Sequence, residues 1–317
     1  MKLLITRNLP EAVLDAARAE FDATVRDDTR PMTSEEAAAA LRDYDAILPT
    51  LGDAFRAPAF DAAPGARCKI LANFGVGYNH IDVAAARAAG IEVTNTPGAV
   101  TDATADIAMA LILMSARRAG EGERLVRSGK WEGWHPTQML GLHVTGKTLG
   151  IVGMGRIGKA IAQRCHFGFG MEIVYYNRSP RSSLDLPARQ LETLTDVMAE
   201  ADIVVVAVPG GPTTHHLIGA EELSAMRPHA HLVNISRGDV VNEAALIAAL
   251  NERRIGGAGL DVYEFEPEVP EALRRLDNVV LLPHLGTAAL EVRTAMGMMA
   301  VDNLRAFARG EPPPNRV

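Results

Sequence analysis

Residues 148–158 read Thr-Leu-Gly-Ile-Val-Gly-Met-Gly-Arg-Ile-Gly, an apolar run that ends in glycines spaced GxGxxG. The run before Gly153 has the length and content of a buried strand, and residues 157–165 continue as an apolar-faced helix. Each glycine answers a separate demand. Gly153 permits the tight reversal, Gly155 lets the main chain approach a pyrophosphate, and Gly158 lets helix and strand pack closely. A helix opening at Ile157, with Arg156 just before it, directs free N–H groups and a partial positive charge at the phosphates. The hexamer alone is a weak signal in a chain with 28 glycines. The strand before it and the helix after it make the signal strong, and the stretch predicts a parallel α/β fold with a Rossmann-type dinucleotide site.

Outward from this turn, residues 172–176, 203–208, 232–235, 258–261 and 279–282 are apolar runs of strand length. Helices are predicted between them at 191–200 and 243–253. Toward the N-terminus, 2–6, 46–49, 70–73 and 92–94 read as shorter strands. Helical spacing at 10–21 places Val13, Leu14, Ala17 and Phe21 on one face. Thr33-Ser34-Glu35-Glu36 opens the next helix with a cap and an acidic first turn, and 83–89 stops at Gly90. Strands alternating with helices imply parallel βαβ units. The fold class is therefore α/β, with two doubly wound parallel-sheet domains, a flavodoxin-like first one and a larger Rossmann second. One long helix is predicted over 101–128. Its middle, from Ala105 to Ala116, is apolar on nearly every face, which predicts burial on all sides. Residues 288–308 form a last helix, and Pro312-Pro313-Pro314 makes a stiff tail.

Bulk properties narrow the function. The 317 residues suit two domains, and the net charge of -7 lacks the electrostatic footprint of a nucleic-acid binder. The longest apolar run, from Ile107 to Met114, is far short of the ~20 residues of a membrane span, and Arg7 interrupts the N-terminus too early for a signal peptide. No nucleic acid or membrane partner is expected, and the cytoplasm is the expected compartment. Cys68 and Cys165 lie in or beside predicted core elements as free thiols, without the spacing of a metal site, so no metal is implied.

The strand after the glycine turn ends at Tyr176-Asn177-Arg178-Ser179. A ribose-binding Asp or Glu usually stands here. Asn177, with Arg178, Ser179 and Arg181 beside it, carries no charge to repel a 2′-phosphate and offers donors to bind one. NADP(H) is the expected preference, with NAD(H) also open. Three further polar residues fall just past apolar strands: Arg237, Glu266 and His284. Ligands of parallel α/β sheets bind at the carboxyl ends of strands. A protonated His can give a proton to a carbonyl oxygen as hydride arrives, a carboxylate favours its charged form, and Arg can bind and polarise a keto acid. Glu264 and Glu268 compete with Glu266 as the partner of the His. His215-His216 follows the loop at Pro209 and reads as loop packing.

These motifs together resemble the D-isomer-specific 2-hydroxyacid dehydrogenase family over nearly the whole chain. The carrying segments are the glycine turn, Asn234-Ile235-Ser236-Arg237-Gly238, Gly259-Leu260-Asp261-Val262-Tyr263 through Glu266-Pro267, and Pro283-His284. The stretch 73–82, Asn-Phe-Gly-Val-Gly-Tyr-Asn-His-Ile-Asp, is similar to the family's substrate loop. The resemblance implies hydride exchange between a nicotinamide cofactor and a small 2-keto or 2-hydroxy acid, with catalytic Arg237, Glu266 and His284. It implies substrate contacts at Leu51, Gly75, Val76 and Gly77 besides Arg237 and His284. Cofactor contacts are implied at Thr104, Val208, Pro209, Thr214, Ile235, Ser236, Asp261 and Gly286, joining the glycine turn and Asn177, Arg178 and Ser179. Residues 1–99 and 287–317 then make the substrate-binding domain, and 100–286 the NAD(P)-binding one, with catalysis in a closing cleft. The helix after Thr101 is expected to build a homodimer. Trp131, Trp134, Pro136 and Met139-Leu140-Gly141 are similar to glyoxylate and hydroxypyruvate reductases. A dehydrogenase of another 2-hydroxy acid such as 3-phosphoglycerate, or a dinucleotide-sensing binding protein of the co-repressor kind, would keep the same Arg–Glu–His set.

Overall fold

A computed structural model describes residues 1–180 and 184–317. Arg181, invoked above beside the expected 2′-phosphate site, lies outside the described residues. The chain divides into two compact units, one of Met1–Val100 with Thr287–Val317, the other of Thr101–Gly286.

The first unit is a five-stranded parallel sheet. Its elements run β1 (Lys2–Ile5), α1 (Glu11–Arg18), β2 (Asp22–Val25), α2 (Ser34–Asp43), β3 (Ala46–Leu48), α3 (Ala57–Asp61), β4 (Ile70–Ala72), α4 (Val83–Ala88) and β5 (Glu92–Thr94). The strand order is β2-β1-β3-β4-β5, the flavodoxin-like order, with its switch point between β1 and β3. Strands β1, β3 and β4 are almost wholly buried, as helices on both faces require. Thr33 caps α2 by accepting the Glu36 N–H at 3.3 Å, while Glu36 accepts the Thr33 N–H at 2.8 Å. The last helix of the chain packs on α1 and β4. A Cβ at its Gly297 would lie 2.5 Å from a Val13 methyl, so only glycine lets the two helices approach this closely.

The second unit runs α5 (Thr101–Ala116), α6 (Ala119–Arg127), β6 (Thr148–Val152), α7 (Arg156–Phe169), β7 (Glu172–Tyr176), β8 (Arg189–Gln190), α8 (Leu194–Glu200), β9 (Ile203–Val206), α9 (Ala220–Ala225), β10 (His231–Asn234), α10 (Glu243–Asn251), β11 (Gly257–Leu260), α11 (Glu271–Arg274) and β12 (Val279–Leu281). Returning to the first unit, α12 (Leu290–Ala308) is its last helix. The seven strands, all parallel, are ordered β12-β11-β10-β9-β6-β7-β8. This is a Rossmann arrangement with one added strand, and its order reverses between β6 and β9. Neighbouring strands β10, β11 and β12 therefore end side by side at the carboxyl edge.

The single helix expected over 101–128 is two helices. Arg118 takes a left-handed φ of 53° at the break. The Ala116 carbonyl accepts the N–H of Leu142 at 2.8 Å, and Gly141 packs so closely that a Cβ there would lie 2.5 Å from the same oxygen. A returning strand of chain thus takes the carbonyl that the next helical turn needs. Burial of α5 is also one-sided within the unit. Ala105, Ala108, Leu111, Ile112 and Ala116 are buried, while Ile107, Met109, Leu113 and Met114 are only partly covered.

Candidate active site

Strand β6 delivers the glycine turn. Gly153 has a φ of 99°, and a Cβ there would lie 2.8 Å from the Ala207 carbonyl oxygen. A Cβ at Gly158 would lie 2.3 Å from the Gly153 carbonyl oxygen. Packing therefore fixes both as glycine. Gly155 differs, because a Cβ there would meet no atom within 4 Å and would fill open space above the turn. No side chain caps α7, whose first residues are Arg156 and Ile157. Open main chain, uncapped N–H groups and a helix N-terminus make a cradle that fits a pyrophosphate. A dinucleotide is the group these residues would hold.

Of the other expected cofactor residues, Asn177 and Val208 follow β7 and β9, the strands on either side of β6. Asn177 follows β7, donates from Nδ2 to the Ser179 carbonyl at 2.6 Å, and accepts from Gln190 Nε2 at 3.1 Å through its own carbonyl. Arg178 and Ser179 are exposed beside it. Past β9, Val208 closes over Gly153, and the Thr214 hydroxyl donates to the Pro209 carbonyl at 2.7 Å, which folds that loop back. Thr104, at the start of α5, donates from its hydroxyl to the Gly286 carbonyl at 3.3 Å.

Arg237 follows β10 and the buried pair Ile235 and Ser236. Asn234 sets the shape of this loop. Its Oδ1 accepts the Ser236 N–H at 3.0 Å and hydroxyl at 2.9 Å, and its Nδ2 donates to the Arg237 carbonyl at 2.9 Å. The Arg237 guanidinium donates from Nη1 to the Ser236 carbonyl at 2.6 Å. Burial lowers its pKa from the ordinary value, while the charges of Glu266 and Asp239 favour the cation.

Glu266 and His284 come into direct contact. His284 Nδ1 lies 2.9 Å from Glu266 Oε2, and Glu266 Oε1 accepts the Tyr263 N–H at 3.0 Å. Burial opposes ionisation of Glu266. The hydrogen bond and charge of His284, the Tyr263 N–H and the charge of Arg237 outweigh it and hold the carboxyl below the usual range. His284 has a left-handed φ of 55°. Asp261, at the end of β11, is 1% exposed; its carboxylate accepts the N–H groups of Leu285 at 2.6 Å and Gly286 at 2.8 Å. Burial pushes the Asp261 carboxyl up, against the pull of those two N–H groups.

Of the competing acids, Glu264 is engaged elsewhere. Its Oε1 lies 2.8 Å from His216 Nε2, and His216 stacks on His215 at 3.9 Å between ring centroids. Glu268 is exposed. Asn234 and Tyr263 were not singled out by the sequence reading, although both lie inside its quoted motifs. Their parts are local hydrogen bonds that spacing does not reveal.

In the first unit, Leu51 follows β3, and its carbonyl accepts from Arg7 Nη1 at 2.8 Å. The Asp53 carboxylate braces the same turn by accepting the Thr50 N–H at 2.8 Å and the Met32 N–H at 2.9 Å. Gly75, Val76 and Gly77 follow β4 in a loop where Gly75 has a φ of 145° that side chains rarely adopt.

Comparison with known proteins agrees with this fold. The family model described as the NAD binding domain of D-isomer specific 2-hydroxyacid dehydrogenases matches residues 109–286. A glyoxylate reductase of Thermococcus onnurineus is 46% identical over 322 residues, covering 100% of this chain and 95% of that protein. The crystal structure of a Thermus thermophilus protein, 41% identical, superposes with a TM-score of 0.92 and covers 100% of both chains. An NADPH-dependent glyoxylate/hydroxypyruvate reductase of Sinorhizobium meliloti, solved with NADP and malonate, has a TM-score of 0.88 at 38% identity, covering 100% of this chain and 96% of its own. The chain belongs to the D-isomer specific 2-hydroxyacid dehydrogenase family and is an NAD(P)-dependent oxidoreductase.

Proposed function

We propose that this enzyme reduces small 2-keto acids, glyoxylate and hydroxypyruvate first among them, to 2-hydroxy acids, with His284 as proton donor and NADPH as the preferred cofactor. The observation that carries the reading is the 2.9 Å contact of His284 Nδ1 with Glu266 Oε2. An ionised carboxylate on Nδ1 keeps a proton there, so the second proton of the imidazolium sits on Nε2, the nitrogen left for a reacting oxygen. Glu266 suits this part because its carboxyl is held below the usual range and stays anionic at neutral pH.

When bound, the nicotinamide supplies the hydride to the carbonyl carbon. Negative charge then grows on the substrate oxygen. The Nε2 proton of His284 moves to that oxygen, and the Arg237 guanidinium stabilises the charge as it develops. His284 is left neutral, with its Nδ1 proton still held by Glu266. The N–H groups of Val76 and Gly77 are assigned to the substrate carboxylate, and Leu51 to a contact with the substrate's body. Asn177, free of charge, with exposed Arg178 and Ser179 beside it, favours a 2′-phosphate over a bare ribose.

Two buried free thiols, Cys68 and Cys165, fit work in a reducing cytoplasm, and among the described residues no helix is long and apolar enough to cross a membrane. We assign a homodimer built on the partly covered face of α5 and on the exposed Trp131, Trp134 and Leu140. Light scattering at the mass of one chain would remove that assignment. Activity is tested with a panel of 2-keto acids and both reduced cofactors, followed at the cofactor's absorbance over many turnovers. Glyoxylate and hydroxypyruvate are expected to rank highest, with NADPH. Reduction of phenylpyruvate but of neither small acid, or cofactor binding without turnover, overturns the reading.

A further inference from the structure

Each carbonyl of the loop 75–77 accepts from a side-chain amide. Asn73 Nδ2 donates to the Gly75 carbonyl at 3.0 Å and to the Gly77 carbonyl at 3.1 Å. Asn95 Nδ2 donates to the Val76 carbonyl at 2.9 Å. The Thr96 N–H also reaches the Gly75 carbonyl, at 3.0 Å. In a planar trans peptide the N–H of each residue points opposite to the carbonyl before it. Holding the Gly75 carbonyl toward Asn73 therefore turns the Val76 N–H away from Asn73, and holding the Val76 carbonyl toward Asn95 turns the Gly77 N–H away from Asn95. One asparagine sets the direction of each N–H. Neither amide can be reversed, because its oxygen would then face a carbonyl oxygen.

Asn95 is itself tied to the end of the chain. Its N–H donates to the Asn315 carbonyl at 3.1 Å, and its carbonyl accepts from Asn303 Nδ2 at 3.4 Å. Asn303, fully buried on α12, accepts the Asn315 N–H at 3.1 Å and Nδ2 at 3.3 Å. A hydrogen-bond network of this kind, centred on the buried Asn303, is rigid when its members are satisfied. We infer that Asn73 and Asn95 are positioning residues that aim the Val76 and Gly77 N–H groups at the substrate carboxylate, and that Asn303 and Asn315 anchor Asn95 for that purpose. The inference rests on the reading of this loop as the carboxylate holder.

The test compares Asn95→Leu and Asn95→Asp with the parent enzyme. Leu removes the donor, and Asp replaces it with an acceptor facing the Val76 carbonyl. Misaimed N–H groups weaken a charge-assisted contact, so KM for glyoxylate should rise about tenfold or more while kcat stays within about threefold. NADPH affinity, read by fluorescence titration, should not move, and this also reports that the variant is folded. An unchanged KM in a folded Asn95→Asp protein overturns the inference, as does a joint loss of kcat, KM and cofactor affinity. Val76→Pro, which deletes one N–H outright, separates the two levels. If it leaves KM unchanged, the carboxylate reading fails and takes the inference with it. If it raises KM while both Asn95 variants do not, only the inference fails.

Discussion

The main-chain carbonyl of Asp261 accepts the N–H of His284 at 3.0 Å. With the carboxylate of the same residue on the next two N–H groups, Asp261 grips three consecutive peptides. This grip offsets the cost of the left-handed backbone at His284, which for a residue with a side chain is about 1–2 kcal/mol. Asp261→Asn keeps the size but can accept only on one side and sets an NH2 against the other N–H. Its kcat should fall about 10- to 100-fold through a misplaced imidazole. On a His284→Ala background the same change should cost little more, because the two act as one unit. Steady-state kinetics on the two single variants and the double variant decide it, and full additivity argues against the coupling.

Glu266→Gln probes the partner of the imidazole. In the parent, Glu266 is held ionised below the usual carboxylate range, so its charge is present throughout the neutral and mildly acidic region. Gln keeps the size of the side chain but removes the carboxylate that holds the Nδ1 proton and orients the ring. kcat should fall about 10²–10³, with KM for the keto acid little changed. A kcat equal to the parent's would detach Glu266 from the proton step.

Much of this architecture is written locally. The glycine turn is legible because tight reversal and close packing are demands on single residues, and Gly153 and Gly158 meet them visibly. Arg237, Glu266 and His284 are conspicuous because each polar side chain follows an apolar run. Choosing among Glu264, Glu266 and Glu268 is a different problem. They are two residues apart in one loop, and only the chain path gives Glu266 to His284 and Glu264 to His216. The break after Ala116 was hidden for a similar reason. No proline or glycine precedes it, and the hydrogen bond that ends the helix comes from Leu142, far along the chain. Strand β8, two residues long, is too short to carry a pattern.

Cofactor choice turns on Asn177. A carboxylate at this place would repel a 2′-phosphate and bind a bare ribose through its hydroxyls. Asn177→Asp should lower kcat/KM for NADPH by about tenfold or more, the worth of a charged hydrogen bond, and raise the NADH value. Measuring both cofactors with one keto acid gives the ratio. An unchanged ratio would place the selectivity elsewhere.

Acid stability should depend on His231, which opens β10 far from the proposed proton donor along the chain. Its Nδ1 lies 2.7 Å from the Ser115 hydroxyl, and the ring is 7% exposed. Glycines crowd it, since a Cβ at Gly257 would lie 2.9 Å from Nδ1 and one at Gly256 would lie 3.1 Å from Nε2. Burial, helped by the charge of His229, pushes its pKa down from 6.5 to about 4. The folded ring therefore stays neutral where the unfolded one has taken a proton, and the unfolded state binds more protons between those values. The stabilisation is fully present above pH 6.5 and is lost as pH falls toward 4. The loss approaches about 3 kcal/mol at the acid end. His231→Gln removes the titration while keeping a polar partner for Ser115. Its melting temperature should be lower than the parent's at pH 7.5, through imperfect packing, yet should fall less between pH 7 and pH 4.5. Groups other than His231 and its neighbour His229 titrate alike in both proteins and cancel in the comparison. Parallel curves across that window would mean that this imidazole does not carry the acid response.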